Sequence, residues 1–264
     1  MKTLDKRTIG RYNVCPTAKY RKFSGRMADG MDIELFYEEK GQGLPFIFLH
    51  GNGEDGSYFK KQTEYFKNKY HTIAVDSRGH GKSPGGTAPL SIGQFSRDLY
   101  DFMNSLGITG AIILGFSDGA NVAMTFAMNH PEMVKALILN GGNLCPEGVK
   151  RSSQFPIEIG YKIAKHFAKR SEKAAENAEI LGLMVNEPHI APSELSKITA
   201  PTLVVCGTRD MIKDSHTRLI AENIPNAKLT VLKGDHFIAS KRPAEFNRAV
   251  DEFLNNRLAD DNDN

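Results

Sequence analysis

Five residues, Gly115-Phe116-Ser117-Asp118-Gly119, restrict this chain more than any other stretch. They follow the apolar run Ala111-Ile112-Ile113-Leu114. They precede Ala120-Asn121-Val122-Ala123-Met124-Thr125-Phe126-Ala127, which has helical composition and small residues beside the turn. Strand, G-x-S-x-G, helix is the context of a tight turn that holds a serine hydroxyl out at the end of a sheet. Bulky side chains on either flank would collide with the neighbouring strand and helix. Gly115 and Gly119 remove them and tolerate strained backbone angles. The amides that open the following helix face the place where negative charge would develop. A pentapeptide also recurs by accident, so the rest of the chain must supply what an activated serine needs.

The surrounding pattern suits such a turn. Tyr20 to Met27 and Met31 to Glu38 read as two strands joined by the turn Ala28-Asp29-Gly30. Pro45 to Leu49 is short and apolar throughout, as in a strand buried on both faces of a parallel sheet. The reading continues with a helix over Ser57 to Asn68, a strand over Tyr70 to Val75 and a helix over Ser91 to Leu106 that Gly107 stops. The serine turn and its helix come next, then a strand over Val134 to Asn140. Between 145 and 197 the alternation breaks. Ile159, Ile163 and Phe167 share one helical face, and Ala174, Ala178, Leu181 and Val185 repeat the pattern, so this segment is a small helical insertion whose apolar faces are expected to lie across the strand ends above Ser117. Strands over Thr202 to Cys206 and Lys228 to Leu232 and helices over His216 to Asn223 and Arg242 to Asn256 follow. Alternating strands and helices predict an α/β fold, a mostly parallel sheet covered on both faces, with ligands at the carboxyl ends of the strands.

A serine hydroxyl needs a base, and the base needs an orienting acid. Leu203-Val-Val-Cys206 runs into Gly207-Thr208-Arg209-Asp210, and Leu229-Thr-Val-Leu232 runs into Gly234-Asp235-His236-Phe237. A carboxylate and then a histidine therefore stand just past two strands, in the order Ser117, Asp210, His236. Asp214 and Asp235 are the other candidates for the acid; Asp235 adjoins the histidine, where neighbouring side chains usually point apart. His50, beside Gly51, reads as a loop hydrogen-bonding residue rather than a second base, and Arg78 and His80 as braces of their own loop.

With those residues in place, the chain resembles the α/β-hydrolase-fold enzymes over roughly residues 20 to 257. Leu49-His50-Gly51-Asn52-Gly53 is similar to the family's His-Gly loop, although it lacks the HGGG of many lipases. Asp76-Ser77-Arg78-Gly79-His80-Gly81-Lys82-Ser83 is similar to the D-x-R-G-x-G-x-S loop. The serine turn, Gly207-x-x-Asp210 and Asp235-His236 complete the set. The resemblance implies an eight-stranded, mostly parallel sheet. It also implies a core over 20–144 and 198–257 and a helical cap over 145–197, between the sixth and seventh strands. It gives Ser117 as nucleophile, His236 as base and Asp210 as acid, with the amides of Asn52 and Asp118 as the oxyanion hole. Phe116, Leu183, Met184, Met211 and Phe237 are candidates for the substrate pocket, with core packing as the alternative. The implied activity is that of a cofactor-free serine hydrolase on a small-molecule carboxylic ester, thioester or lactone. A C–C hydrolase or haloperoxidase-like enzyme on the same triad, or a non-catalytic receptor of this fold, is the alternative.

Composition narrows this further. A formal charge of +3 over 264 residues is too small to imply nucleic acid. The basic excess gathers in residues 1–19, an expected N-terminal arm, and residues 258–264 read as a polar, disordered tail. No run approaches the roughly 18 apolar residues that span a bilayer, so no membrane partner is expected. Cys15, Cys145 and Cys206 are scattered and without CxxC spacing, which suits a reducing cytoplasm and supplies no metal site. Gly81-Lys82-Ser83 resembles the end of a phosphate loop, but position 76, where that motif needs glycine, is Asp76. No cofactor is called for.

Overall fold

In the computed structural model, residues 32–258 are described. The basic arm, the expected strand over Tyr20 to Met27, its turn, and residues 259–264 of the tail lie outside them. In chain order the elements are β1 (Tyr37–Lys40), β2 (Pro45–Leu49), α1 (Lys60–Phe66), β3 (His71–Val75), α2 (Ile92–Ser105), β4 (Ala111–Phe116), α3 (Asp118–Asn129) and β5 (Val134–Asn140). Then come α4 (Arg151–Phe167), α5 (Glu172–Asn186), β6 (Thr202–Arg209), α6 (Asp214–Asn223), β7 (Ala227–Asp235), the single turn α7 (Ile238–Lys241) and α8 (Pro243–Leu258).

The described residues form a sheet of seven strands in the order β1-β3-β2-β4-β5-β6-β7, all parallel except β1, which pairs antiparallel with β3. Eight strands were expected. The first expected strand lies outside the described residues, and the second contributes only its end, beginning at Tyr37.

The apolar runs become central strands because each side chain has a layer to enter. Along β2, Ile47 and Leu49 join one core while Phe46 and Phe48 join the other. In β4, Ile113 faces the first core and Ile112, Leu114 and Phe116 the second. This period of two is what a sheet buried on both faces demands. Residues of α2, α3 and α6 cover the first face; residues of α1 and α8 cover the second. Ser91 caps α2 by accepting from the Gln94 amide at 3.0 Å.

The insertion departs from expectation in one respect. The shared face of Ile159, Ile163 and Phe167 was expected to turn onto the strand ends. Instead these residues and Phe155 are exposed on the outer side of α4. The inner side carries Gln154 and Ala164, which are buried. Gly160 and Gly182 lie on the sides of the two helices that face each other: a Cβ at Gly182 would make ordinary contact with the Tyr161 ring at 3.4 Å, and one at Gly160 with Leu181 at 3.5 Å. Leu183 of α5 then reaches the main core and is buried.

Candidate active site

Three strands end one residue short of a polar side chain: β4 before Ser117, β6 before Asp210 and β7 before His236. All three strands run parallel, so these residues meet at one edge of the sheet. Ser117 sits at φ 53°, ψ −119°, a region costing a side-chain-bearing residue about 1–3 kcal/mol. Its surroundings hold it there. The Ser117 amide donates to the Asn140 carbonyl at 2.8 Å. A Cβ at Gly115 would stand 2.2 Å from the Gly119 carbonyl oxygen, and one at Gly119 would stand 2.1 Å from that of Leu49. The two glycines are steric requirements of the turn.

Ser117 Oγ lies 3.1 Å from His236 Nε2, and His236 Nδ1 lies 2.7 Å from Asp210 Oδ1. His236 and Asp210 are buried, at 4% and 2% exposure, so their hydrogen bond is shielded from water. Burial pushes the Asp210 carboxyl up. Its bond with His236, the imidazole charge and the amides of Ile212 and Gly207 outweigh burial and hold it below its ordinary value. The carboxylate is acceptor-only, so Nδ1 carries the proton and donates to it. The Nε2 lone pair is left to take the serine hydrogen. The other two candidate acids are engaged elsewhere: Asp235 accepts from the Phe237 amide and Lys241, and Asp214 is exposed beside Lys150.

The neighbouring loops are braced as their sequence suggested. His50 Nε2 accepts from the Ser77 amide at 2.9 Å, so its Nδ1 donates to the Gly51 carbonyl at 2.7 Å. Burial lowers its pKa to about 4, which keeps the ring neutral. Arg78 makes a two-pronged pair with Asp98 and also reaches Asp32 and the Gly85 carbonyl. Asn52 Nδ2 donates to Asp118 Oδ2 and to the Ile180 carbonyl, each at 2.9 Å, and so ties the His-Gly loop to the serine turn and to α5. Burial, followed in order by the Asn52 hydrogen bond that opposes it and the Glu187 charge that adds to it, leaves the Asp118 carboxyl raised to about 6.

A narrow cavity of about 10 Å³, room for about one water molecule, opens on Ser117 between the strand ends and the insertion. Met184 and Met211, both expected, line it. Ile212, which the sequence also offered as a pocket or core residue, lines it too, as do Gln154 and Glu187, which were not singled out from sequence. Leu183 instead faces the core and a wider cleft of about 390 Å³ between α4, α5 and Pro89-Leu90. Glu187 lines both spaces. Phe116 and Phe237 are not among the residues lining either one. Phe116 is buried and stacks on Tyr58 with ring centroids 4.4 Å apart, forming the floor beneath His236. Phe237 is 39% exposed with Lys241 over its ring. Glutamine and glutamate near helix ends read as surface residues, which is why Gln154 and Glu187 gave no signal. Among the described residues, no group of three or more His, Cys, Asp or Glu side chains is placed to hold a metal ion.

Comparison with known proteins agrees with this geometry. Residues 45–179 match the sequence profile of the alpha/beta hydrolase fold. The 3-oxoadipate enol-lactonase 2 of Acinetobacter baylyi is 27% identical over 84% of this chain and 94% of its own. The 2-hydroxy-6-oxononadienedioate/2-hydroxy-6-oxononatrienedioate hydrolase of Burkholderia vietnamiensis is 28% identical over 88% of this chain and 95% of its own. Among solved structures, Est816, described as an N-acyl homoserine lactone degrading enzyme, superposes with a TM-score of 0.68. It is 27% identical, covering 84% of this chain and 97% of that one. With a serine turn, an aspartate and a histidine gathered at the strand ends of such a sheet, the chain belongs to the alpha/beta hydrolase fold family and is a hydrolase.

Proposed function

We propose that this enzyme cleaves a carboxylic ester, with thioesters and lactones as close variants, through an acyl-enzyme formed on Ser117. The observation that carries the reading is the unbroken hydrogen-bond chain from Ser117 Oγ through His236 to Asp210. His236 Nε2 takes the hydroxyl proton as Oγ attacks the carbonyl carbon, and the carbonyl oxygen becomes an oxyanion. The imidazolium, balanced by Asp210, then returns the proton to the leaving oxygen as the C–O bond breaks. Water, deprotonated by the same nitrogen, repeats the attack and frees Ser117.

The amides of Asn52 and Asp118 supply the oxyanion hole in this scheme. Neither donates to a protein acceptor among the described residues, and Asp118 opens α3, where the helix dipole favours negative charge. Residues 145–197 act as a cap. Met184, Gln154 and Glu187 of that segment wall the cavity above Ser117 and exclude water from the reacting atoms. The narrow cavity takes the smaller part of a small-molecule substrate and the wider cleft the larger part, with Glu187 between them.

The lactones named for two of the similar proteins fit this chemistry. A dioate, as named for the Burkholderia relative, fits the site less well, because no lysine or arginine lines the cavity at Ser117. The deciding experiment is labelling with a fluorophosphonate, with mass spectrometry placing the adduct on Ser117 and Ser117→Ala abolishing it without unfolding. Turnover of 4-nitrophenyl esters of rising chain length, with lactone, thioester and C–C substrates alongside, then fixes the bond. An adduct elsewhere, or none on the folded wild type, would sink the mechanism.

A further inference from the structure

Among the polar side chains that line the cavity at Ser117, one has an acceptor without a partner. Gln154, only 5% exposed, donates through Nε2 to the Met184 carbonyl at 3.1 Å. A carbonyl can only accept, so this bond sets which way the side-chain amide points, and it leaves Oε1 as the free end. That oxygen is buried and has no hydrogen-bond partner. Native structures rarely leave such an atom unpaired, because burying an acceptor without a donor costs stability.

None of the other polar side chains around the cavity donates to Gln154 Oε1. Asn143 gives one amide hydrogen to the Cys145 carbonyl and accepts from Asn121 with its oxygen. Asp118 accepts from Asn52 and Asn121. Glu187 accepts from the Ile92 amide at 2.7 Å and spans from the insertion to the start of α2. No lysine or arginine faces the cavity, and no side chain there pairs with Gln154 Oε1. The apolar remainder, Val149, Met184, Met211 and Ile212, gives it shape. What complements such a space is a small group with a hydrogen to donate. A carboxylate or a bare carbonyl would leave Oε1 as unsatisfied as it is without substrate.

We propose that the substrate group held in the Ser117 cavity is short and carries a hydroxyl or an amide-type N–H, and that Gln154 Oε1 accepts its hydrogen. Gln154 is then a specificity-determining residue of the cap. This rests on the reading of Ser117 as nucleophile and names the class of group it acts on. A site built to receive one hydrogen bond discriminates against the isostere that lacks it, because the buried partner is then stranded.

Two esters of matched size test this: 4-nitrophenyl glycolate, whose acyl group ends in a hydroxyl, and 4-nitrophenyl propanoate, whose acyl group ends in a methyl. Their intrinsic reactivities differ, but that difference cancels when their kcat/KM ratio is compared between enzyme forms. Gln154→Met keeps the volume and removes the acceptor; Gln154→Leu serves should the first variant unfold. The expected result is a glycolate-to-propanoate ratio about tenfold higher in the wild type than in either variant. Labelling of Ser117 by a small fluorophosphonate in all three shows that each form keeps its nucleophile. Equal ratios, with Ser117 still labelling, overturn the assignment of Gln154 and leave the hydrolase reading standing. If Ser117 neither labels nor turns over any ester, the hydrolase reading falls, and the inference with it.

Discussion

Gly141 and His236 compete for one volume: a Cβ on residue 141 would stand 2.6 Å from His236 Cε1 and 2.8 Å from Nδ1. The backbone just past β5 is thus the wall that keeps the imidazole on the line between Ser117 and Asp210. Gly141 also has φ +67°, which a side chain resists. Gly141→Ala is expected to push the ring off that line and lower kcat about 100-fold, the scale of a misplacement near 1 Å. Far-ultraviolet circular dichroism should stay native. Wild-type kcat in a folded Gly141→Ala would show that the ring is positioned by something else.

The acid assignment gives a second test. Asp210→Asn removes the charge that fixes the His236 tautomer, and kcat should fall by roughly 10⁴, as in well-studied triads. Asp214→Asn and Asp235→Asn, both at sites engaged away from His236, should stay within roughly twofold of wild type. Steady-state kinetics on one good ester settles it, and a large loss at Asp214 with little at Asp210 would reverse the assignment.

Glu54 makes stability depend on pH. Burial raises its carboxyl from 4.5 to about 7, against the pull of the Gly51 amide and His236. The folded protein therefore holds this proton more tightly than the unfolded chain does. The contribution of Glu54 is fully present below about pH 4.5 and is lost as pH rises through about 7. Thermal unfolding from pH 5 to 8 should show a larger fall in Tm for the wild type than for Glu54→Gln. Parallel curves would remove Glu54 as the cause.

Arg78 is a structural charge. Its side chain is wholly buried and forked onto Asp98, itself 3% exposed. Arg78→Ala strands that carboxylate and should destabilise the fold by about 3–5 kcal/mol in denaturant titrations. A loss below about 1 kcal/mol would place the pair among weak surface bridges.

Two adjacent residues of α5 should respond differently to the same substitution. Met184 lines the Ser117 cavity, so Met184→Trp should cut turnover of longer esters more than that of acetate. Leu183 is packed in the main core, so Leu183→Trp should overpack it and cost about 1–3 kcal/mol of stability. Ratios of kcat/KM across chain lengths and unfolding midpoints for both variants separate the two effects. An unchanged ratio in a folded Met184→Trp would count against the cap reading.

What could be read from sequence divides along a physical line. Ser117, Asp210 and His236 were legible because each sits at a local junction, where an apolar run ends and a polar turn begins. Central strands such as β2 and β4 were legible because burial on both faces leaves an unbroken apolar run. The pose of α4 was not. Whether Ile159 or Ala164 turns inward depends on how α4 seats against α5 and the sheet, and periodicity alone carries no such information. Gln154 was hidden for the same reason, since only its placement beside Met184 distinguishes it from an ordinary surface glutamine. The amides of Asn52 and Asp118 were expected through resemblance alone, because backbone donors leave no residue-type signature.

Ser117 and His236 are 119 residues apart in the chain, and His236 follows β7, which among the described residues is an edge strand paired with β6 alone. A growing chain therefore completes the serine turn long before it owns a base. Until β7 docks, the hydroxyl is as inert as any other. Reactivity of Ser117 is thus a clock for folding as well as a sign of chemistry. A fluorophosphonate added during refolding would mark only those molecules whose last strand has found its place, and the time course of the label would trace the closing of the sheet.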